Sequence, residues 1–218
     1  MTANLTDVQR AGWLNAIHLT VTGREASYVE PSKLAAPKAP VQLLPCLFWG
    51  TVPHLVDEGA LVEKGITDVV LLCVNNLFED QQTTLKVHHV PVFESSIMRD
   101  AFPTVEDIIT SVNEKGGKTL VCCACGVNKA AAMVVGYLIK NENWLLLDAI
   151  EHTRDRCGWI IQVPEYQEQL FDFAASMNRL DPINRWPRED CDSDLDSDIA
   201  HSRVDMGMGE SLKKISLL

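Results

Sequence analysis

Two things are scarce in this 218-residue chain: aromatic side chains, at 6%, and positive charge, with 19 Lys and Arg against 30 Asp and Glu. A net charge of −11 sets repulsion from nucleic acid and from anionic membrane surfaces as the expectation. No run of 18 or more apolar residues is present, so no bilayer-spanning helix is expected. The opening MTANLTDVQRAGW lacks the basic-then-apolar layout of a secretory signal. These absences lead us to expect a soluble intracellular monomer, cytoplasmic, nuclear or both, with no nucleic-acid or membrane partner. What is plentiful is apolar residue, at 46%, enough to bury one well-formed core. Seven cysteines is an odd count, and Cys122, Cys123 and Cys125 fall within four positions, which suits reduced thiols better than a secreted disulfide framework.

Residues 1–42 read as a leader and linker, with a short amphipathic helix around Trp13–Ile17 and then PSKLAAPKAP, whose prolines remove donors and stop any helix. LLPCLFWG (43–50) reads as a short strand entering a turn at Gly50. VPHLVDEGALVEKG places Leu55, Leu61 and Val62 at helical spacing with a stop at Gly65. DVVLLCV (68–74) and TLVCC (119–123) are continuous apolar runs, as expected of strands covered on both faces, and KVHHVPV (86–92) reads as another strand. Val105, Ile108, Ile109 and Val112 form one helical stripe ended by Gly116–Gly117. AAAMVVGYLIKNENW, DAIEHTRDRCG and PEYQEQLFDFAASMNRL read as three further helices. Strands alternating with helices, then helices alone, predict an α/β layer fold: a central, mostly parallel sheet flanked by helices over residues 43–180. From 181 to 218 the chain turns acidic, with seven acids and two bases in residues 181–200 and little to bury, and disorder is expected.

The most informative segment is TLVCC running through ACGVNK into the apolar helix. A strand, a tight loop and a helix N-terminus make an anion cradle, in which the successive backbone N–H groups of Ala124, Cys125, Gly126, Val127, Asn128 and Lys129 can converge on one point. A thiol at the mouth of such a nest is expected to ionise more readily than a free cysteine. Cys123 and Lys129 thus place a candidate nucleophile and a cation around a phosphate-sized site. Read blandly, the same cysteines are small buried residues at a strand end.

From about Leu43 to Phe173 the chain resembles a dual-specificity protein phosphatase domain, carried by LLPCLFWG, GITDVVLLC, VHHVPVFES, GGKTLVCCACGVNKAAAMVVGYLI and VPEYQEQLFDF in that order. The resemblance implies the fold of the Cys-based tyrosine phosphatases, no cofactor and no metal. It also implies a loop pattern of His-Cys-x5-Arg followed by Ser or Thr. Here Cys122 stands for the His, Cys123 keeps the nucleophile, Gly126 keeps the turn, Lys129 stands for the Arg and Ala130 for the hydroxyl. The family's general acid aligns with Glu94, with Asp100 as a second candidate, and the Asn of its closing turn becomes Val163. So many changed functional positions imply a pseudophosphatase, similar to the catalytically inactive serine/threonine/tyrosine-interacting branch, that binds phosphoproteins or signalling proteins. That branch replaces the nucleophile and keeps the Arg, the reverse of what stands here.

Three other readings compete. One is a slow Cys-dependent phosphatase using Cys123, Lys129 and Glu94 or Asp100. Another is a redox role in which Cys73, Cys122 or Cys125 lies within disulfide reach of Cys123. Zinc held by CCAC with His88 and His89 is disfavoured, because Cys-x-Cys at a buried strand end lacks knuckle spacing. His88 and His89 should face opposite sides of their strand, one packed and one solvated. Trp49, Trp144 and Trp159 are expected in core or edge packing.

Overall fold

The computed structural model describes residues 5–22, 37–75, 83–92 and 97–182. The chain divides into two units, Met1–Pro187 and Arg188–Leu218, and every described residue belongs to the first. Among the described residues five strands, β1 (Val41–Leu44), β2 (Leu47–Thr51), β3 (Asp68–Leu71), β4 (Lys86–His89) and β5 (Thr119–Cys123), form one sheet in the order β1-β2-β5-β3-β4. The β1–β2 pairing is antiparallel; the other three are parallel, as crossover helices require. The segment expected as one strand at 43–50 is instead a hairpin, in which Leu44 pairs with Leu47 across Pro45–Cys46. Proline breaks the ladder there because it has no N–H to give.

Seven α-helices accompany the sheet among the described residues: α1 (Asp7–Thr22), α2 (Glu58–Glu63), α3 (Ile97–Asp100), α4 (Phe102–Glu114), α5 (Lys129–Asn141), α6 (Leu146–Cys157) and α7 (Pro164–Ser176). The short α3 has no counterpart in the sequence pattern. Strand side chains alternate between two apolar clusters, as the two-residue pleat dictates. Trp49, Val70, Val121 and Cys123 face the larger one, built with α1 and α3 to α7, while Phe48, Val69, Leu120 and Cys122 face a smaller one closed by Leu61 of α2. Every residue of β5 is buried, which matches a central strand covered on both sides. At Gly136 a Cβ would stand 2.6 Å from Met98 Cε and 2.8 Å from Phe102 Cε2, so the bare backbone lets α5 meet α3 and α4 closely.

Two segment boundaries differ from expectation. The region read as a leader contains α1, whose Trp13, Ile17 and Val21 lie in the large core and which packs on α6 and α7. Arg10 pairs with Asp172 and stacks over the Phe171 ring at 5.0 Å. At the other end, Asp181 is no solvated acid. It is 3% exposed, and its carboxylate accepts from the Leu147 N–H at 2.8 Å, while the Arg179 carbonyl accepts from the Leu146 N–H at 2.9 Å. The first free amides of α6 are thereby satisfied. The expected disorder of the acidic stretch falls on residues 183–218, outside the described residues.

His88 and His89 also depart from expectation, since both are half-buried and hydrogen-bonded: His88 Nε2 to Asp68 Oδ1 at 2.7 Å, His89 Nε2 to the Cys73 carbonyl at 2.8 Å. β4 is an edge strand, so neither face is sealed. Among the described residues no helix is long and apolar enough to cross a membrane, and no group of three His, Cys, Asp or Glu side chains gathers for a metal.

Because α1 is part of the core, Trp13→Ala should lower the unfolding free energy by about 3–5 kcal/mol in urea titration. A loss under about 0.5 kcal/mol would mean that α1 is only laid on the surface.

Candidate active site

β5 delivers Cys123 to the carboxyl edge of the sheet, and α5 begins six residues later at Lys129. Between them the chain reverses through Gly126 at φ +76°, the left-handed region that only glycine enters freely. Space requires glycine as well, since a Cβ there would lie 2.5 Å from Trp49 Cζ2 and 3.1 Å from the Gly50 carbonyl. Trp49, 1% exposed, is more than packing: its indole N–H donates to the Gly126 carbonyl at 3.0 Å and holds the loop down. A second brace comes from the segment before α7. Ile161 N–H donates to the Val127 carbonyl at 2.7 Å, and Gln167 Nε2 donates to the Ile161 carbonyl at 2.9 Å. Val163 then offers its backbone N–H to Asn128 Oδ1 at 3.3 Å.

Gly126 N–H donates to Cys123 Sγ at 3.2 Å, so the loop turns an amide onto the site sulfur. Cys73, expected within disulfide reach of Cys123, belongs to the segment after β3. Its place follows from register: Leu71 pairs with Cys122, so two residues on, Cys73 stands level with Ala124. Cys122 is on the opposite face of the sheet from Cys123, in the smaller cluster, which removes it from the thiols expected around the cradle.

Ionisation follows from the surroundings of each sulfur. Cys123 shares a hydrogen bond with Cys125 and is only 3% exposed, and both effects hold its thiol far above the ordinary range; the Gly126 and Ala130 amides pull the other way without prevailing. The anion belongs on the more exposed partner. Cys125 is pushed down to about 5 by the Cys123 hydrogen bond, with help from the amides of Val127 and Asn128 against partial burial. Burial raises Cys73, offset by the Lys129 charge and the Ala124 amide, and it also raises Cys122. Burial pushes Cys157 up to about 12, against the pull of Arg156.

Two hollows meet at the loop. One, of about 350 Å³, has walls that include Cys73, Cys123, Asn128, Lys129, Val163 and Tyr166. The other, of about 450 Å³, lies towards Trp49, Thr51, His54 and Trp159. Ala124 and Cys125 line both. Lys129 therefore faces the same hollow as Cys123, and its ammonium reaches towards the Val92 carbonyl at 3.5 Å. Asp100 is not brought there: it ends α3, its carboxylate accepts from Arg99 Nε at 2.8 Å, and it lines neither hollow. Glu94 lies outside the described residues.

A mostly parallel sheet whose central strand ends in a cysteine, followed by a glycine turn and a helix N-terminus, is the frame of a Cys-based phosphatase. The family model described as "Dual specificity phosphatase, catalytic domain" matches residues 47–176. The chain belongs to this family. It is 34% identical over 142 residues to dual specificity protein phosphatase 18 of Rattus norvegicus, covering 60% of this chain and 68% of that one. Among solved structures it is similar to the human tyrosine phosphatase-like serine/threonine/tyrosine-interacting protein, with 20% identity and a TM-score of 0.55 over 65% of this chain and 99% of that one. It is likewise similar to a mouse putative dual specificity phosphatase complexed with zinc tungstate, with 21% identity and a TM-score of 0.57 over 70% and 94% of the two chains.

Gly126→Ala should disrupt the loop, costing about 1–2 kcal/mol for the left-handed backbone before the clash with Trp49 is added. Urea titration followed by tryptophan fluorescence checks it, and unchanged stability would contradict the tight seating of the loop. Cys157 gives a pH prediction. Its folded-state value is raised above that of the unfolded thiol, so its contribution is complete below about 8.5 and is lost as pH rises towards about 12. In that window Cys157→Ala should flatten the decline of stability by about 1.4 kcal/mol per pH unit, and parallel slopes for wild type and variant would refute it.

Proposed function

We propose that this chain is a pseudophosphatase-like binding module of the dual-specificity phosphatase family, engaging phosphoproteins or signalling proteins through the face around the Cys123–Lys129 loop with little or no turnover. The observation that carries the reading is the burial of Cys123, 3% exposed, where the neighbouring Cys125 and desolvation both push its thiol up. A thiol attacks phosphorus only as its thiolate, so a proton kept on Cys123 withholds the nucleophile. The substitutions act in the same direction. Lys129 supplies a point charge where a guanidinium fork would grip two phosphate oxygens, a difference of about 1.5–3 kcal/mol, or about 10- to 100-fold. Ala130 has no hydroxyl to assist the departure of a thiolate from a phosphocysteine.

Oxyanion binding is expected to survive in weakened form. That a similar mouse protein was solved with zinc tungstate supports tungstate as the probe. The second reading, a slow Cys-dependent phosphatase, draws on one feature: the Gly126 and Ala130 amides already face Cys123 Sγ and would favour its thiolate if Cys125 rotated away.

Two measurements decide between the readings. Hydrolysis of an aryl phosphate should be near background and unchanged by Cys123→Ser; turnover abolished by that substitution would overturn the binding-module reading. Tungstate should bind weakly, and Lys129→Arg should tighten it about 10- to 100-fold by restoring the bidentate grip. Equal affinities for the wild type and the Lys129→Arg variant would remove the cradle from partner recognition.

A further inference from the structure

Cys123 and Lys129 open on the smaller hollow; the larger, of about 450 Å³, holds neither. Its walls carry the rings of Pro37, Trp49, Pro53, His54 and Trp159, with Lys38 beside them. Among the described residues the other tryptophans are engaged. Trp49 donates to the Gly126 carbonyl at 3.0 Å, Trp13 packs on the Phe171 ring at 6.3 Å between centroids, and Trp144 meets the His152 ring edge-on at 4.6 Å. Trp159, expected in core or edge packing, is half-buried and has no hydrogen bond or ring pair with a described residue. Its backbone is held under strain. Two residues on, Ile161 is branched at Cβ yet sits at φ +50°, and it is kept there by its N–H bond to the Val127 carbonyl and by Gln167.

The polar groups of the wall complete the picture. His54 is 9% exposed, and its Nδ1 accepts from the Thr51 N–H at 3.1 Å. The proton is therefore on Nε2, which donates to the Pro37 carbonyl at 2.6 Å. Thr51 Oγ1 accepts from the His54 N–H in return. This reciprocal pair ties residue 37 to the wall and sets Lys38 next to the hollow. Lys38 is exposed, has no ion pair with a described residue, and no carboxylate lines the hollow. In a chain of net charge −11, an aromatic hollow with an uncompensated lysine calls for a ring and a negative charge from outside.

We propose that this hollow is a second recognition subsite, taking an aromatic side chain with a carboxylate beside it from an acidic segment of the partner, a role that rests on this face engaging a protein as proposed above. Trp159 supplies the ring contact, in an offset or edge-on stack, and the proline rings widen the apolar wall. Lys38 sets the preference for negative charge. As an exposed cation it acts on selectivity and on salt dependence more than on total affinity.

Two probes that differ in charge, indole-3-acetate and indole-3-acetamide, read the hollow directly in the full-length reduced chain. Both should move the nitrogen-15 indole resonance of Trp159, identified by its loss in Trp159→Phe. The acetate should bind about two- to fivefold more tightly at low salt. Lys38→Ala, on an exposed side chain, should remove that difference, and Lys38→Glu should reverse it. A peptide containing Asp-Trp-Glu should displace indole-3-acetate, and one containing Ser-Ala-Ser should not. Equal binding of the two probes to the wild type, a charge preference that survives Lys38→Ala, shifts centred on another tryptophan, or an Asp-Trp-Glu peptide that fails to compete would each overturn the subsite. Tungstate reports on the cradle separately. Probe binding without tungstate binding contradicts the cradle and leaves the subsite standing; tungstate binding without probe binding does the reverse.

Discussion

The structure turns on where a short run of backbone amides donates. Between β5 and α5 these N–H groups need acceptors, and Cys123 Sγ takes that of Gly126. The surroundings of the two loop thiols then decide which carries charge: the neighbouring thiol and burial push Cys123 up, while Cys125, the more exposed, is pushed down.

The rest of the fold makes this arrangement hard to escape. β5 is central and sealed on both faces, so Cys123 has no route to solvent except through the loop. Trp49 from β2 fixes the turn at Gly126, and Ile161 and Asn128 tie the loop to the segment before α7. Burial and the hydrogen bond from Cys125 act together on Cys123, whereas Cys125 feels only part of the desolvation.

Much of this was legible in the residues. Continuous apolar runs ending in polar residues announced β3 and β5, helical stripes announced α4 to α7, and TLVCC followed by a glycine loop announced the site. Other features were not, for physical reasons. The Pro45–Cys46 hairpin looked like one strand because its two arms are equally apolar. Trp13, Ile17 and Val21 made a helical stripe, yet nothing in the sequence says that α6 and α7 cover it. Asp181 opens an acidic run, and only the fold turns it inward as a helix cap. The same limit applies to Cys73, which the sequence placed near Cys123 but whose level with Ala124 depends on the β3–β5 register.

The most direct test is to follow each sulfur's protonation in the native chain, through the carbon-13 Cβ shifts of selectively labelled cysteine during a pH titration. The account predicts that the Cys125 resonance moves first, around 5, while Cys123 keeps the shift of a protonated thiol through neutrality and into the alkaline range. If Cys123 titrates before Cys125, the inner sulfur carries the charge, and the nucleophile is not withheld.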